Sequence, residues 1–333
     1  MRGKRCSDEP MLNLRTVQAS LNAPRPSPNA GAPAPLLLAG PTAVGKSAIA
    51  LLLAERLGGE IVSVDSMQVY RGLEIGTAKP SPADRTRIPH HLIDVMEMTE
   101  SFDAAQFVQL ARRAVADIQS RGRVPILCGG TGLYFKAFLE GLDEAPPADD
   151  TLRALLKATP LAELLRELAE RDPATYERID RQNPRRVIRA IEVIRLTGKP
   201  FSAQRADRAR PSRFTFHSSR CIGFARSPAD LQQRISARVD AMFRQGWVAE
   251  TEQLLEHGLA QNETAMQALG YRQIVEHLRG ERSLAETIEL VKLRTRQFAK
   301  RQMTWFRRQL QLTWINLEPQ SSAEAVAKAI AGL

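Results

Sequence analysis

The chain has 333 residues, which gives room for two domains or for one domain carrying an insertion. Its hydrophobic fraction of 43% is that of a globular protein, and no apolar run approaches the roughly 20 residues a membrane helix needs. The net charge of +10 asks for an anionic partner, while three cysteines (Cys6, Cys128, Cys221), odd in number and far apart, exclude a disulfide framework or metal cluster and fit a reduced cytoplasm.

Residues 1–34 read as an extension without a fold. The stretch 23–35 is mostly Ala, Pro, Asn, Ser and Gly, too poor in apolar surface to order itself. No apolar segment follows Arg2, Lys4 and Arg5, so no secretory signal is expected. Then Pro35 to Ala39 predicts a buried strand and Ala48 to Leu57 a helix. Between them lies Gly40-Pro41-Thr42-Ala43-Val44-Gly45-Lys46-Ser47, which fits the phosphate loop G-x-x-x-x-G-K-[ST] in the strand–loop–helix setting that the motif requires. Its backbone amides and the helix start cradle an anion, Lys46 adds a full charge, and the Ser47 hydroxyl is a candidate Mg²⁺ ligand. The loop implies a polyphosphate without saying which one.

Glu60 to Ser66 predicts a second strand with Asp65 at its carboxyl end, where ligands of open parallel sheets bind. Asp65 has three readings here: Mg²⁺ ligand, general base, or cap of the Ser66-Met67-Gln68 turn. Residues 71–90 look like loop, 92–95 a short strand and 103–120 a helix. Residues 124–128 form another buried strand, which ends in Gly129-Gly130-Thr131-Gly132 rather than in the acid that NTP hydrolases carry. The Thr131 hydroxyl either bonds a substrate or caps the helix expected at 133–140. Strands alternating with helices predict a doubly wound parallel α/β sheet of the P-loop NTPase type.

From Ala145 the texture changes. Pro146-Pro147 marks a boundary, and 149–200 is helix-patterned without a strand signal. Ser218 to Ala225 returns to the sheet, so 145–215 is expected to be a helical insertion into a catalytic domain formed by 35–144 and 216–333. Helices are expected at about 228–245, 247–257, 265–279, 283–309 and 322–332, with a last strand at 312–315. The charge is uneven. Arg181 to Arg213 carries ten Arg/Lys against Glu192 and Asp207, a local +8, and Lys292 to Arg308 carries seven and no acid. These stretches are either solvated faces or one basic surface for an RNA. The helix through Phe298, Met303, Trp305 and Phe306 interleaves cations, amides and aromatics, as phosphate contacts plus base stacking require. The same apolar residues also suit a partly buried face.

Several motifs resemble the tRNA dimethylallyltransferase (IPP transferase) family in order and spacing, over about 35–317. They are the phosphate loop, Ser63-Val64-Asp65-Ser66-Met67-Gln68-Val69-Tyr70, Ile75-Gly76-Thr77-Ala78-Lys79-Pro80 and Pro89-His90-His91-Leu92-Ile93-Asp94. To these add Gly129-Gly130-Thr131-Gly132-Leu133-Tyr134, Asn183-Pro184-Arg185-Arg186, Arg238-Val239-Asp240, Leu269-Gly270-Tyr271-Arg272 and Ala299-Lys300-Arg301-Gln302 with Thr304-Trp305. The resemblance implies transfer of a dimethylallyl group from its diphosphate to the exocyclic amine of the adenosine on the 3′ side of the anticodon. The phosphate loop would then hold a leaving pyrophosphate with Mg²⁺ near Ser47, Asp65 would take the amine proton, and Thr131 would bond the same nucleotide. It further implies tRNA contacts by Asp65, Ser66, Met67, Gln68, Arg153, Arg185, Arg186, Val187, Ile188 and Arg189. The rest of the implied contact set is Gln267, Ala268, Leu269, Gly270, Tyr271 and Arg272, then Lys300, Arg301, Gln302, Met303, Thr304, Trp305, Phe306 and Arg307. The base must be flipped into a channel. The expected protein is a cytoplasmic monomer that binds a tRNA anticodon stem-loop and no membrane. Where the family often has Asp-Arg, this chain has Ser227-Pro228, and Arg226 is near enough to reach pyrophosphate. The chain has no residues for the C-terminal Cys₂His₂ zinc module of some members. The rivals are a small-molecule kinase of the same fold and a non-enzymatic RNA-binding protein.

Overall fold

The computed structural model describes residues 33–141, 146, 148–204 and 220–332. The expected extension up to 32, Pro147, the basic residues from Arg205 to Arg213 and the first residues of the strand expected at 218 lie outside them. The described residues form two compact units, one built from the segments up to Phe138 and from Phe216 onward, the other from Leu139–Thr215.

The first unit is a six-stranded, wholly parallel sheet: β1 (Leu36–Ala39), β2 (Gly59–Val64), β3 (His90–His91), β4 (Val124–Gly129), β5 (Cys221–Ala225) and β6 (Thr313–Asn316), in the order β3-β2-β4-β1-β5-β6. A parallel sheet buried on both faces needs continuous apolar strands, and β1, β2 and β5 are buried along their whole length. Alternate residues feed opposite faces. Leu36, Leu38, Ile126, Ile222 and Ile315 pack with Ile49, Leu53, Val326 and Ile330, so α1 (Lys46–Leu57) lies on that side and the closing helix Ala323–Ala331 packs on α1. Between these two come α2 (Pro82–Arg87), α3 (Ala104–Ser120), α4 (Gly132–Glu140), α5 (Asp150–Ala158), α6 (Leu161–Arg171), α7 (Pro173–Arg178), α8 (Pro184–Thr197), α9 (Phe201–Gln204), α10 (Pro228–Arg244), α11 (Trp247–Glu256), α12 (Tyr271–Leu278) and α13 (Leu284–Gln309).

Two local expectations are corrected. The loop at 71–90 contains α2, started by Ser81 and Asp84 in a reciprocal capping box with Pro82 in the first turn. The strand expected at 92–95 is instead β3, two residues earlier. Leu92 and Asp94 take left-handed φ values of 63° and 55°, which no strand tolerates, and the Asp94 carboxylate is held by Lys79 and Arg85. In the second unit Leu156, Leu164, Leu168, Val187, Ala190, Ile191 and Ile194 form one apolar core. The carboxylate of the buried Glu192 pairs there with Arg153 (2.8 Å) and Arg189 (2.6 Å) and accepts from the Asp149 amide (3.0 Å). Among the described residues no helix is long and apolar enough to cross a membrane.

Candidate active site

The carboxyl ends of β1, β2 and β4 open into one pocket of about 620 Å³. β1 delivers the phosphate loop. Gly45, at φ 108° in the conformation that favours glycine, ends the loop and starts α1. The first amides of that helix have no partner inside it and point their partial charge at the pocket. Lys46 Nζ folds back to donate to Pro41 O (2.9 Å). Lys46 is part-exposed as a residue, but its ammonium is crowded by protein, and lost hydration pushes its pKa down to about 8. Arg238 acts in the same direction and Asp65 opposes it. Cys128 lies beside them, and burial holds its thiol up at about 11, so it is neutral at pH 7 and carries no charge for Lys46.

Two arginines that sequence reasoning left without a role complete this end. Arg234 and Arg238 stand one turn apart on α10 and line a recess of about 350 Å³ with Gly45, Lys46 and Ser47. The Arg238 guanidinium is enclosed enough for desolvation to lower its pKa, against the pull of Asp65. It makes no hydrogen bond or ion pair with any described residue. The i, i+4 spacing of two arginines on a helix that follows a sheet strand was the available signal. Arg226, near enough to reach pyrophosphate by sequence, bonds to the phosphate loop and to the helix that follows it. Its Nε donates to Val44 O (2.8 Å) and its Nη1 to Asp230 (2.7 Å) and Glu318 O (3.0 Å), while Arg234 Nε donates to Ala43 O (2.9 Å). Arg226 thus braces the phosphate loop from behind.

β2 delivers Asp65. One carboxylate oxygen, Oδ1, accepts from the amides of Met67 (2.8 Å) and Gln68 (3.3 Å), so the capping role is real. Oδ2 has no hydrogen bond to any described residue and keeps its lone pairs for the pocket. β4 delivers Thr131, whose Oγ1 accepts from the Ser66 amide (3.2 Å) rather than capping α4. The hydroxyl proton remains for a ligand.

Several residues expected to touch RNA also have partners within the protein. Gln68 spends its amide on Ser63 (2.8 Å), Thr77 O (3.1 Å) and Ala78 O (3.3 Å). Gln302 bonds Thr42 N and Gly130 O, both at 2.9 Å. Tyr271 is buried and donates to Glu250 (2.6 Å), Gly270 packs against Trp247, and Ala268 and Phe306 are buried. Trp305 packs on Gly132. In the helical unit Val187 faces the core, and Arg153 and Arg189 neutralise Glu192. Lys292, counted among uncompensated cations, pairs with Asp240 and Glu289. Ser66, Met67, Gln267, Leu269, Arg272 and Arg301 line the pocket, as Gln68, Ala268 and Gln302 also do, and so do Arg294, Thr295 and Phe298, one and two turns before Arg301. All three belong to the basic helix already expected to meet RNA, and helical spacing puts them on the side of Arg301. Lys300, Thr304 and Arg307 are exposed on the same helix, Met303 is half-buried, and on α8 Arg185 and Arg186 are exposed and Ile188 half-buried.

One pocket therefore joins an anion cradle with surplus cations to a carboxylate that has one uncommitted oxygen. A family model described as IPP transferase matches residues 68–309. The chain is 44% identical over 292 residues to tRNA dimethylallyltransferase 2 of Geotalea uraniireducens, across 86% of this chain and 93% of that protein. It is 46% identical over 307 residues to tRNA dimethylallyltransferase 1 of Trichlorobacter lovleyi, across 87% and 96%. Among solved structures, it is similar to a eukaryotic dimethylallyltransferase described as acting on tRNA, with TM-score 0.76 and 28% identity over 90% of this chain and 78% of that one. The tRNA isopentenylpyrophosphate transferase of Bacillus halodurans aligns with TM-score 0.65 and 37% identity over 90% and 96%. On the family model and on relatives of this identity and coverage, the chain belongs to the IPP transferase family.

Proposed function

We propose that this chain is a tRNA dimethylallyltransferase. It moves the dimethylallyl group of dimethylallyl diphosphate onto the exocyclic amine of the adenosine 3′-adjacent to the anticodon and releases pyrophosphate. The observation that carries the reading is the shared pocket: Lys46, Ser47, Asp65, Thr131 and Arg238 all line it. The diphosphate occupies the loop from Gly40 to Ser47, against Lys46, Arg234 and Arg238, which offset the charge that grows as the allylic C–O bond breaks. The adenine nitrogen forms the new bond to the allylic carbon, and its proton passes to Asp65 Oδ2. The backbone bonds to Oδ1 fix that carboxylate, and Thr131 holds the same nucleotide.

Mg²⁺ fits this donor set. The Ser47 hydroxyl lies at the diphosphate end, and no group of three His, Cys, Asp or Glu residues among the described residues offers a protein cage, as suits an ion that keeps waters and binds substrate phosphates. When bound, it would neutralise part of the diphosphate charge. The basic faces of α13 and α8 serve as contacts to the anticodon stem-loop, and the protein works in the cytoplasm as a monomer. The test is mass spectrometry of an anticodon stem-loop incubated with enzyme, Mg²⁺ and dimethylallyl diphosphate. One dimethylallyl group on that adenosine is expected. Unmodified RNA, with ATP turned over instead, would favour a kinase.

A further inference from the structure

Between the buried Ala299 and Phe306 on the inner side of α13 lies Gln302, which is 8% exposed. Its Oε1 accepts from the Thr42 amide of the phosphate loop, and its Nε2 donates to Gly130 O in the loop after β4, both at 2.9 Å. Only this orientation of the amide pairs a donor with an acceptor at both ends. Gly130 leaves no spare room, since a Cβ there would lie 2.5 Å from Gln302 Nε2. The next residue, Thr131, bonds through its amide to Val64 O (3.2 Å) and through Oγ1 to the Ser66 amide (3.2 Å), on either side of Asp65. A continuous hydrogen-bonded path thus runs from the loop assigned to the leaving group to the residues that flank the base, with Gln302 as its middle link. The opposite side of the same helix carries the exposed Lys300 and Arg307.

We propose that Gln302 is a positioning residue for the transfer. It fixes the separation of the phosphate loop and the acceptor loop, and with it the gap between the allylic carbon and the adenine amine. Because it stands on α13, it ties that gap to the seating of the helix whose outer face meets the RNA. The proposal rests on the assignment of the two loops to diphosphate and adenosine. The gap matters because attack needs the reacting atoms about 3–3.5 Å apart, and a misplacement of about 1 Å costs on the order of 100-fold in rate.

Gln302→Leu removes both bonds at similar volume, and Gly130→Ala pushes the amide off its carbonyl from the other side. The full chain is measured for single-turnover rate with both substrates prebound, for the Kd of pyrophosphate and of the stem-loop separately, and for Tm. Each variant is expected to slow the single turnover by about 10- to 100-fold, with each Kd within about 3-fold of wild type. The double variant should be no slower than the worse single variant, because both changes cut the same link. An unchanged rate in folded Gln302→Leu overturns the proposal. So does a rate loss matched by equal losses in both affinities, the mark of general loosening. Should Gln302→Leu not fold, Gly130→Ala decides by the same outcomes. A wild-type enzyme that makes no prenylated RNA overturns the functional assignment itself, and the proposal with it.

Discussion

In the helical unit, Arg153 and Arg189 converge on the buried carboxylate of Glu192, and Arg171 and Arg195 on Glu167. In the α/β unit, the half-buried Arg238 lines the same pocket as Lys46, Ser47 and Asp65, yet it makes no hydrogen bond or ion pair with any described residue. Taking a charge out of water is costly to the degree that it is buried, unless a partner repays it. Where the arginines pair within the fold, the partner is built in and the Glu192 pKa is held down despite its burial, by Arg189, Arg153 and the Asp149 amide. Where an anion has to enter and leave, the partner is the ligand. A count of Arg and Lys along the chain cannot separate these two uses.

The largest expected effect breaks the comparison at the base. Asp65→Asn keeps the cap that Oδ1 provides but loses the proton acceptor. Turnover should fall by about 100-fold or more, with stem-loop affinity unchanged. Near-normal turnover would remove Asp65 from the chemistry.

Next is the charge on Lys46. Its pKa is lowered to about 8, so the free enzyme carries the ammonium below that pH and loses it above. Pyrophosphate affinity, taken as a ratio to that of Lys46→Arg so that the ligand's own titration cancels, should be flat below pH 7. It should fall by about 10-fold or more as pH rises past 8, the worth of a charge-assisted hydrogen bond. A ratio that is flat to pH 10 would contradict this. RNA affinity should hardly follow it.

The smallest effects sharpen the contrast within α8. Arg186→Gln should shallow the dependence of log stem-loop affinity on log salt by roughly 0.7–0.9, one phosphate contact, without changing stability. Arg189→Gln should leave the slope alone and lower unfolding stability by about 1–3 kcal/mol, since Glu192 loses a partner. Equal slopes for Arg186→Gln and wild type would make that arginine a solvated residue.

The phosphate loop and the parallel sheet were legible because their constraints are local. Eight consecutive residues define the loop, apolar runs define β1 and β4, and the β-branched Ile61, Val62 and Val64 mark β2. β3 was misplaced because what bends Leu92 to Val95 out of a strand is the grip of Lys79 and Arg85 on Asp94, partners 9 to 15 residues away that no local propensity contains. The same limit hid the work of Gln68 and Gln302. An amide side chain beside a basic helix looks like an RNA contact until the loops that occupy both its ends are in place. Arg234 and Arg238 were missed for the converse reason: their i, i+4 spacing marks one face of α10, but nothing in that helix shows that the face meets the phosphate loop after β1.

The most direct test of the central claim, that Arg238 is left unpaired for an anion, is thermal unfolding of wild type and Arg238→Gln with and without pyrophosphate. The account predicts that without pyrophosphate the variant is about as stable as wild type, because Arg238 makes no hydrogen bond or ion pair with the described residues for the variant to lose. It also predicts that the rise in Tm that pyrophosphate gives the wild type is largely lost. A variant that melts earlier than wild type, yet gains as much from pyrophosphate, would contradict it.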